Sequence, residues 1–297
     1  MRQNRNQTTS LRDRITLIAV AGLMRLPFRL RVRLAGWLGR VVIGRLGPLR
    51  RRVLASVHHF LPELPQADAR RIAREVPGNL VRMITEILSA DELAALAAGL
   101  PLDGPGVTAL QKARETGRAA ILVSGHFGNY DAWRLALIAQ GYNVGGYFKE
   151  LGNDALNAHY LRAVSASGQP MFPSTGDGRK SLVRFLRAGG MLGILIDLDR
   201  PNGVAVDFLG QPTRTVLSIA EMALKYDAAL IPIYGIRTSS SPGFRIWIDD
   251  AIPASDPLTM TQALNDSFGT QVRRHPEQWV WWHNRRKKSH PDYDAQP

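Results

Sequence analysis

The 297-residue chain contains no cysteine, which removes disulfides, thiolate metal sites and a cysteine acyl-enzyme together. Acidic residues are scarce at one end. Residues 1–52 hold thirteen arginines against one acid, Asp13, so a local excess of +12 accounts for nearly all of the net +13. Neither apolar stretch among those arginines, 15–24 and 34–44, reaches the roughly 20 residues that a bilayer-crossing helix needs. There is no low-complexity linker and no internal repeat. The glycine-rich turn Gly176-Asp177-Gly178-Arg179 lacks the Gly-x4-Gly-Lys-Ser/Thr spacing that cradles nucleotide phosphates.

What is present is an arginine-rich start interleaved with Leu, Ile and Trp37. That pattern suits a helix lying in a headgroup region, cations on phosphates and apolar side chains among acyl tails. A cleaved signal peptide is disfavoured because Arg25-Leu26-Pro27-Phe28-Arg29 offers no small-x-small cleavage site. A nucleic-acid-binding arm would explain the charge but not the apolar segments. A second basic cluster, Arg285-Arg286-Lys287-Lys288, lies near the C-terminus.

Residues 53–98 read as helices, with a turn over 60–65, Asp68 as an N-cap, and Leu80, Met83, Ile84, Ile87 and Leu88 as a buried stripe. Beyond about residue 105 the rhythm changes to strands at 119–124, 143–148, 191–196 and 229–235, with an edge strand at 244–248. Helices at 130–140, 154–166, 179–188, 217–226 and 258–273 are expected between and after them. The alternation predicts a single α/β domain with a mostly parallel sheet flanked by helices, active residues at strand C-terminal ends, and a basic helical N-terminus in front. The expected division is a membrane-associating segment over 1–52 and an α/β domain over 53–290, entered through the helices of 53–98.

The chemistry concentrates in Ser124-Gly125-His126-Phe127-Gly128-Asn129-Tyr130-Asp131. His126 falls at the carboxyl end of a buried strand, and Gly125 and Gly128 allow a tight turn and close approach of a ligand. Asp131, five residues on, can swing back onto the imidazole and hold one ring nitrogen while the other acts as a base. An acceptor hydroxyl could then supply the nucleophile, with amides near Gly128 and Asn129 placed for an oxyanion. Asp197-x-Asp199 after a strand is a poor transition-metal set without histidine, and no metal or other cofactor is expected. Trp279, Trp281 and Trp282 read as core or as an interfacial aromatic belt. His58, His59, His159 and His290 read as surface residues.

The string GHFGNYD resembles the lipid A late acyltransferases of the glycerolipid and lysophospholipid acyltransferase superfamily, whose signature is His-x4-Asp/Glu. The likeness continues through His59-Phe60-Leu61-Pro62-Glu63-Leu64, Asn153 with Arg162, Asp197-Leu198-Asp199, the stretch 204–212, and the closing His275-Pro276-Glu277-Gln278-Trp279 and Trp282-His283-Asn284-Arg285-Arg286. The resemblance implies acyl transfer from acyl carrier protein to a hydroxyl of a hydroxyacyl chain on a lipid A precursor, at the cytoplasmic face of the inner membrane. It implies His126 as base, Asp131 as its partner and Arg162 as a substrate-site residue. Asp131 stands where these acyltransferases usually carry Glu, which leaves another lysolipid or glycolipid acceptor open; Asn284 stands where they usually carry Arg, which implies a weaker C-terminal basic contact.

Overall fold

The computed structural model describes residues 22–148, 165, 168–239, 242–282 and 285. The described helices before the first strand include α1 (Phe28–Val41), α2 (Gly47–Phe60), α3 (Gln66–Ile87) and α4 (Ala90–Ala98). The α/β portion follows as β1 (Leu102–Asp103), α5 (Val107–Glu115), β2 (Ala120–Ser124), α6 (Ala132–Ala139), β3 (Val144–Phe148), β4 (Met171–Pro173), α7 (Gly178–Arg187) and β5 (Met191–Leu195). It closes with β6 (Val204–Phe208), β7 (Gln211–Thr215), α8 (Ser218–Lys225), β8 (Ala229–Arg237), β9 (Phe244–Ile248) and α9 (Pro257–Arg274).

Seven strands form one sheet in the order β1-β9-β8-β2-β5-β3-β4. The pairings are parallel except β8 with β9. β2 is buried at every position, as a central strand covered on both faces must be. Its side chains alternate between the two faces. Ala120 and Leu122 pack with α4, α5 and α6 on one side, and Ile121 and Val123 pack with α7, α8 and α9 on the other. The predicted α/β architecture with its mostly parallel sheet is therefore the observed one.

Some expectations change. Phe244–Ile248 is not the edge, because β1 pairs outside it. Asp68 lies inside the first turn of α3, whose cap position is Pro65. Along α3, Met83 and Ile87 are buried while Ile84 and Leu88 are 44% and 36% exposed, so the expected stripe splits between core and surface. The helix expected at 154–166 lies outside the described residues apart from Ser165.

α1 uses two faces. Its small-residue face meets α3 at close range, where a Cβ on Gly39 would lie 2.7 Å from the Pro77 carbonyl oxygen and one on Gly78 2.9 Å from that of Gly36. Arg31 forms an ion pair with Glu92 at the helix end. The other face leaves Leu30, Trp37, Leu38 and Val42 exposed, beside the exposed Arg29, Arg33 and Arg40. Among the described residues no helix is long and apolar enough to cross a membrane.

Candidate active site

His126 sits two residues past Ser124, which pairs in register with Leu195 of the neighbouring parallel strand. Two residues past Leu195 is Asp197. Continuing both strands by the same count brings the two side chains together: His126 Nδ1 lies 2.8 Å from Asp197 Oδ1, and the His126 amide donates to Asp197 Oδ2 at 3.0 Å. Trp279 adds a third donor, its Nε1 lying 2.9 Å from Oδ2. Asp197 is completely buried, so these donors replace the water a carboxylate would otherwise require.

An ionised carboxylate only accepts, so with Asp197 ionised Nδ1 donates to Oδ1, and a neutral imidazole then has its lone pair on Nε2. The His126 side chain keeps 22% of its surface exposed, and the Tyr130 ring meets it edge-on at 5.6 Å. A partly accessible imidazole with a buried carboxylate behind it has the arrangement that general-base chemistry uses.

The sequence had paired His126 with Asp131. The structure corrects that pairing. Asp131 directs Oδ1 to Arg134 Nε at 2.8 Å, in an ion pair with only 4% of either side chain exposed, and its Oδ2 has no hydrogen-bond partner among the described residues. Arg134 also donates to the Gly168 carbonyl oxygen at 3.1 Å, tying the start of α6 to the chain before β4. Helical spacing explains the choice: Asp131 and Arg134 are three apart and share one face of the helix start.

Gly128 and Asn129 are corrected as well. Their amides, expected to face an oxyanion, donate instead to the carbonyl oxygens of Gln278 at 3.0 Å and Gly235 at 2.9 Å. Gly128 has φ of +56°, and a Cβ there would lie 2.0 Å from the Gly235 oxygen, so this turn is pressed against β8 rather than open to a ligand. Asn129 is fully buried and organises the turn from inside. Its Oδ1 accepts from the amides of Asp131 and Ala132, and its Nδ2 donates to Glu86 at 2.9 Å. Glu86, also fully buried, takes both terminal nitrogens of Arg237 at 2.5 and 2.8 Å. α3 and β8 thus grip the turn through one buried network. Arg82 lies close by; burial, and then the charge of Arg237, hold its guanidinium below the ordinary arginine range.

The C-terminal segment forms the remaining wall. Val280 N donates to the His126 carbonyl oxygen, and Trp279 is packed by Phe60, Phe208, Phe268 and Trp281. This places Trp279 and Trp281 in the core rather than in an interfacial belt. Arg285 is buried behind them, donating to Thr215 Oγ1 at 3.0 Å and Asn265 Oδ1 at 2.8 Å with its guanidinium 4.1 Å from the centre of the Phe208 ring. Burial pushes Arg285 down to about 10, and the nearby Asp197 and Asp199 carboxylates act in the opposite direction. Among the described residues no group of three or more His, Asp or Glu side chains could hold a metal ion. Arg162 and Asn153 lie outside the described residues.

Asp197 carries a local signal, an acid closing a buried strand, but Asp197-x-Asp199 alone points as readily to a metal pair as to a partner for His126. Which strand lies beside β2 is decided by strand order, and that order places β5, not the consecutive β3, next to it.

Residues 3–288 match the model of the bacterial lipid A biosynthesis acyltransferases. The chain belongs to this family. As a member of it, the chain is an acyltransferase, and His126 and Asp197, at the ends of β2 and β5, lie within the matched region. Its relatives differ in the acceptor their names give. A phosphatidylinositol mannoside acyltransferase of Mycobacterium tuberculosis (strain ATCC 25618 / H37Rv) is 28% identical over 260 residues, covering 85% of this chain and 75% of the relative. A lipid A biosynthesis acyltransferase of Haemophilus influenzae is 23% identical over 262 residues, covering 86% and 81%. Lipid A biosynthesis acyltransferase 2 of Shigella flexneri is 23% identical over 281 residues, covering 88% and 85%.

Proposed function

We propose that this acyltransferase moves an acyl chain from acyl carrier protein to a hydroxyl of a hydroxyacyl chain on a lipid A precursor, at the cytoplasmic face of the inner membrane. The observation that carries the mechanism is the 2.8 Å contact of His126 Nδ1 with the buried Asp197. Nε2 takes the proton of the acceptor hydroxyl as its oxygen attacks the thioester carbonyl, and Asp197 stabilises the imidazolium that results. The tetrahedral intermediate then collapses, the carbon–sulfur bond breaks, and the imidazolium returns its proton to the departing thiolate. No enzyme nucleophile is required, because the acceptor supplies the attacking oxygen. Asp131 acts at one remove, through Arg134 and the shape of the turn. Arg162 is read as a substrate-site residue on the family resemblance alone.

The membrane assignment rests on α1. Its arginines alternate with exposed Leu30, Trp37 and Leu38, a combination that fits anionic lipid better than nucleic acid.

A second acceptor is supported by a specific observation. The mycobacterial relatives named for phosphatidylinositol mannoside reach 28% identity, against 23% for those named for lipid A. Both acceptors are phosphate-bearing glycolipids. Mass spectrometry of lipids from a lipid A acyltransferase-deficient Gram-negative host expressing the chain tests the proposal, with His126→Ala alongside. An acyl chain gained by lipid A only with the wild type supports the first reading. Unchanged lipid A, with acylation of phosphatidylinositol mannoside when that lipid is supplied, overturns it in favour of the second.

A further inference from the structure

We infer that Trp279 is a positioning residue for acyl transfer: its indole N–H fixes the carboxylate of Asp197 in the orientation that aims His126. The inference rests on the reading of His126 and Asp197 as the base and its carboxylate. Asp197 uses its two oxygens differently. Oδ1 faces the imidazole, while Oδ2 accepts from Trp279 Nε1 at 2.9 Å and from the His126 amide at 3.0 Å. Rotation of the carboxylate about its own axis would break both contacts to Oδ2 together with the one to Nδ1. The indole therefore helps to lock the plane in which the imidazole is held.

The chemistry of the donor matters as much as its distance. An indole nitrogen donates and does not accept, so it can neither take up nor relay the proton that His126 moves. It holds the anionic form of Asp197 through the catalytic cycle. A hydrogen bond to a buried charge is stronger than one between neutral groups.

The position of the indole is itself over-determined. Four aromatic rings surround it, with centroid separations of 6.0 Å to Phe60, 5.2 Å to Phe208, 6.0 Å to Phe268 and 4.6 Å to Trp281. Its backbone is stitched to the same turn it serves: Phe127 bridges to Trp279, Gly128 donates to Gln278, and Val280 donates to His126. One short segment thus holds the histidine by main chain and the carboxylate by side chain.

Trp281 provides an internal control. It is as buried as Trp279 and also donates its Nε1, but to the Pro276 carbonyl oxygen at 2.6 Å. Replacement of either indole by phenylalanine trims the ring and removes one hydrogen bond; only Trp279→Phe removes a bond to Asp197. Steady-state acyl transfer by the full chain should show kcat reduced about tenfold to hundredfold in Trp279→Phe, with KM within about twofold of wild type. Trp281→Phe should keep kcat near wild type. Equal kcat values for the two variants would overturn the inference.

A spectroscopic arm decides the matter even where Trp279→Phe does not fold. In protein labelled with 15N-tryptophan, one of the six indole resonances should shift upfield on Asp197→Asn, while that of Trp281 stays in place. An indole spectrum unchanged by Asp197→Asn would remove the bond. The same variant separates the two claims. Wild-type turnover by Asp197→Asn overturns the dyad itself, whereas an inactive Asp197→Asn beside a fully active Trp279→Phe overturns only the role given to the indole.

Discussion

Asp131 Oδ1 and Arg134 Nε meet at 2.8 Å in the interior, and the pair, not Asp131 alone, belongs to the turn that presents His126. Removing one partner strands a buried charge, which costs about 3–5 kcal/mol, whereas removing both leaves none. Arg134→Met should therefore lower unfolding free energy by that amount, and Asp131→Asn with Arg134→Met should cost less than the two single changes added together. Denaturant titration of the three variants checks this; strictly additive losses would show that the two side chains do not act as a unit.

His126→Ala should reduce turnover by at least about 10²-fold, the usual scale for loss of a general base. Asp197→Asn should lower it in the same direction while leaving the imidazole present. Asp131→Asn should be milder than either, because it perturbs the turn and not the nitrogen that faces the carboxylate. Single-turnover rates with a thioester donor rank the three, and a larger loss for Asp131→Asn than for Asp197→Asn would return the orienting role to Asp131.

Gly128→Ala tests how tightly the turn is pressed on β8. The positive φ alone costs a side-chain-bearing residue about 1–3 kcal/mol, and the added Cβ would meet the Gly235 oxygen at 2.0 Å. The variant should melt several degrees lower and lose activity. Gly210→Ala shares a positive φ of 83° with nothing within 4 Å of the new Cβ, so its loss should be the smaller of the two in a thermal melt.

The proposed membrane contact through α1 has a test that leaves the fold alone. Deleting residues 1–46 would strip α1 from α3 and expose the close glycine contacts, so loss of binding after it would be ambiguous. Trp37 and Val42 are 48% and 55% exposed. Trp37→Glu with Val42→Glu should weaken binding to anionic vesicles at least about tenfold, since it replaces inserted apolar surface by charge, with the melting temperature unchanged. Unchanged vesicle binding would place the lipid contact elsewhere.

The strands were legible because each is a short apolar run closed by glycine or a polar turn. Those expected at 119–124, 143–148, 191–196, 229–235 and 244–248 have ends within two residues of the observed ones. The β6–β7 hairpin was not legible. Its two-residue loop is Leu209-Gly210 with φ of +57° and +83°, and leucine in that conformation is not the Asn-Gly or Asp-Gly that marks such a turn. In the site, the histidine and its glycines could be read from local pattern. The identity of its carboxylate could not, because Asp131 and Asp197 are both acids within reach of a strand end and only strand order separates them. The partners of the Gly128 and Asn129 amides are hidden for a related reason: local sequence shows a helix N-terminus but not the carbonyl groups of β8 and the 276–278 turn that cover it.

The shared register of Ser124 and Leu195 bears on how this chain can vary. Side chains along a strand alternate between faces, so a one-residue insertion or deletion within 120–126 or 191–197 would turn His126 and Asp197 away from each other. A change of length at the tip, 209–210, leaves that register untouched, because the β6–β7 hairpin carries neither residue. Diversification by change of length is thus confined to loops such as this one, while the two segments that end in the histidine and the aspartate must lengthen or shorten together or not at all.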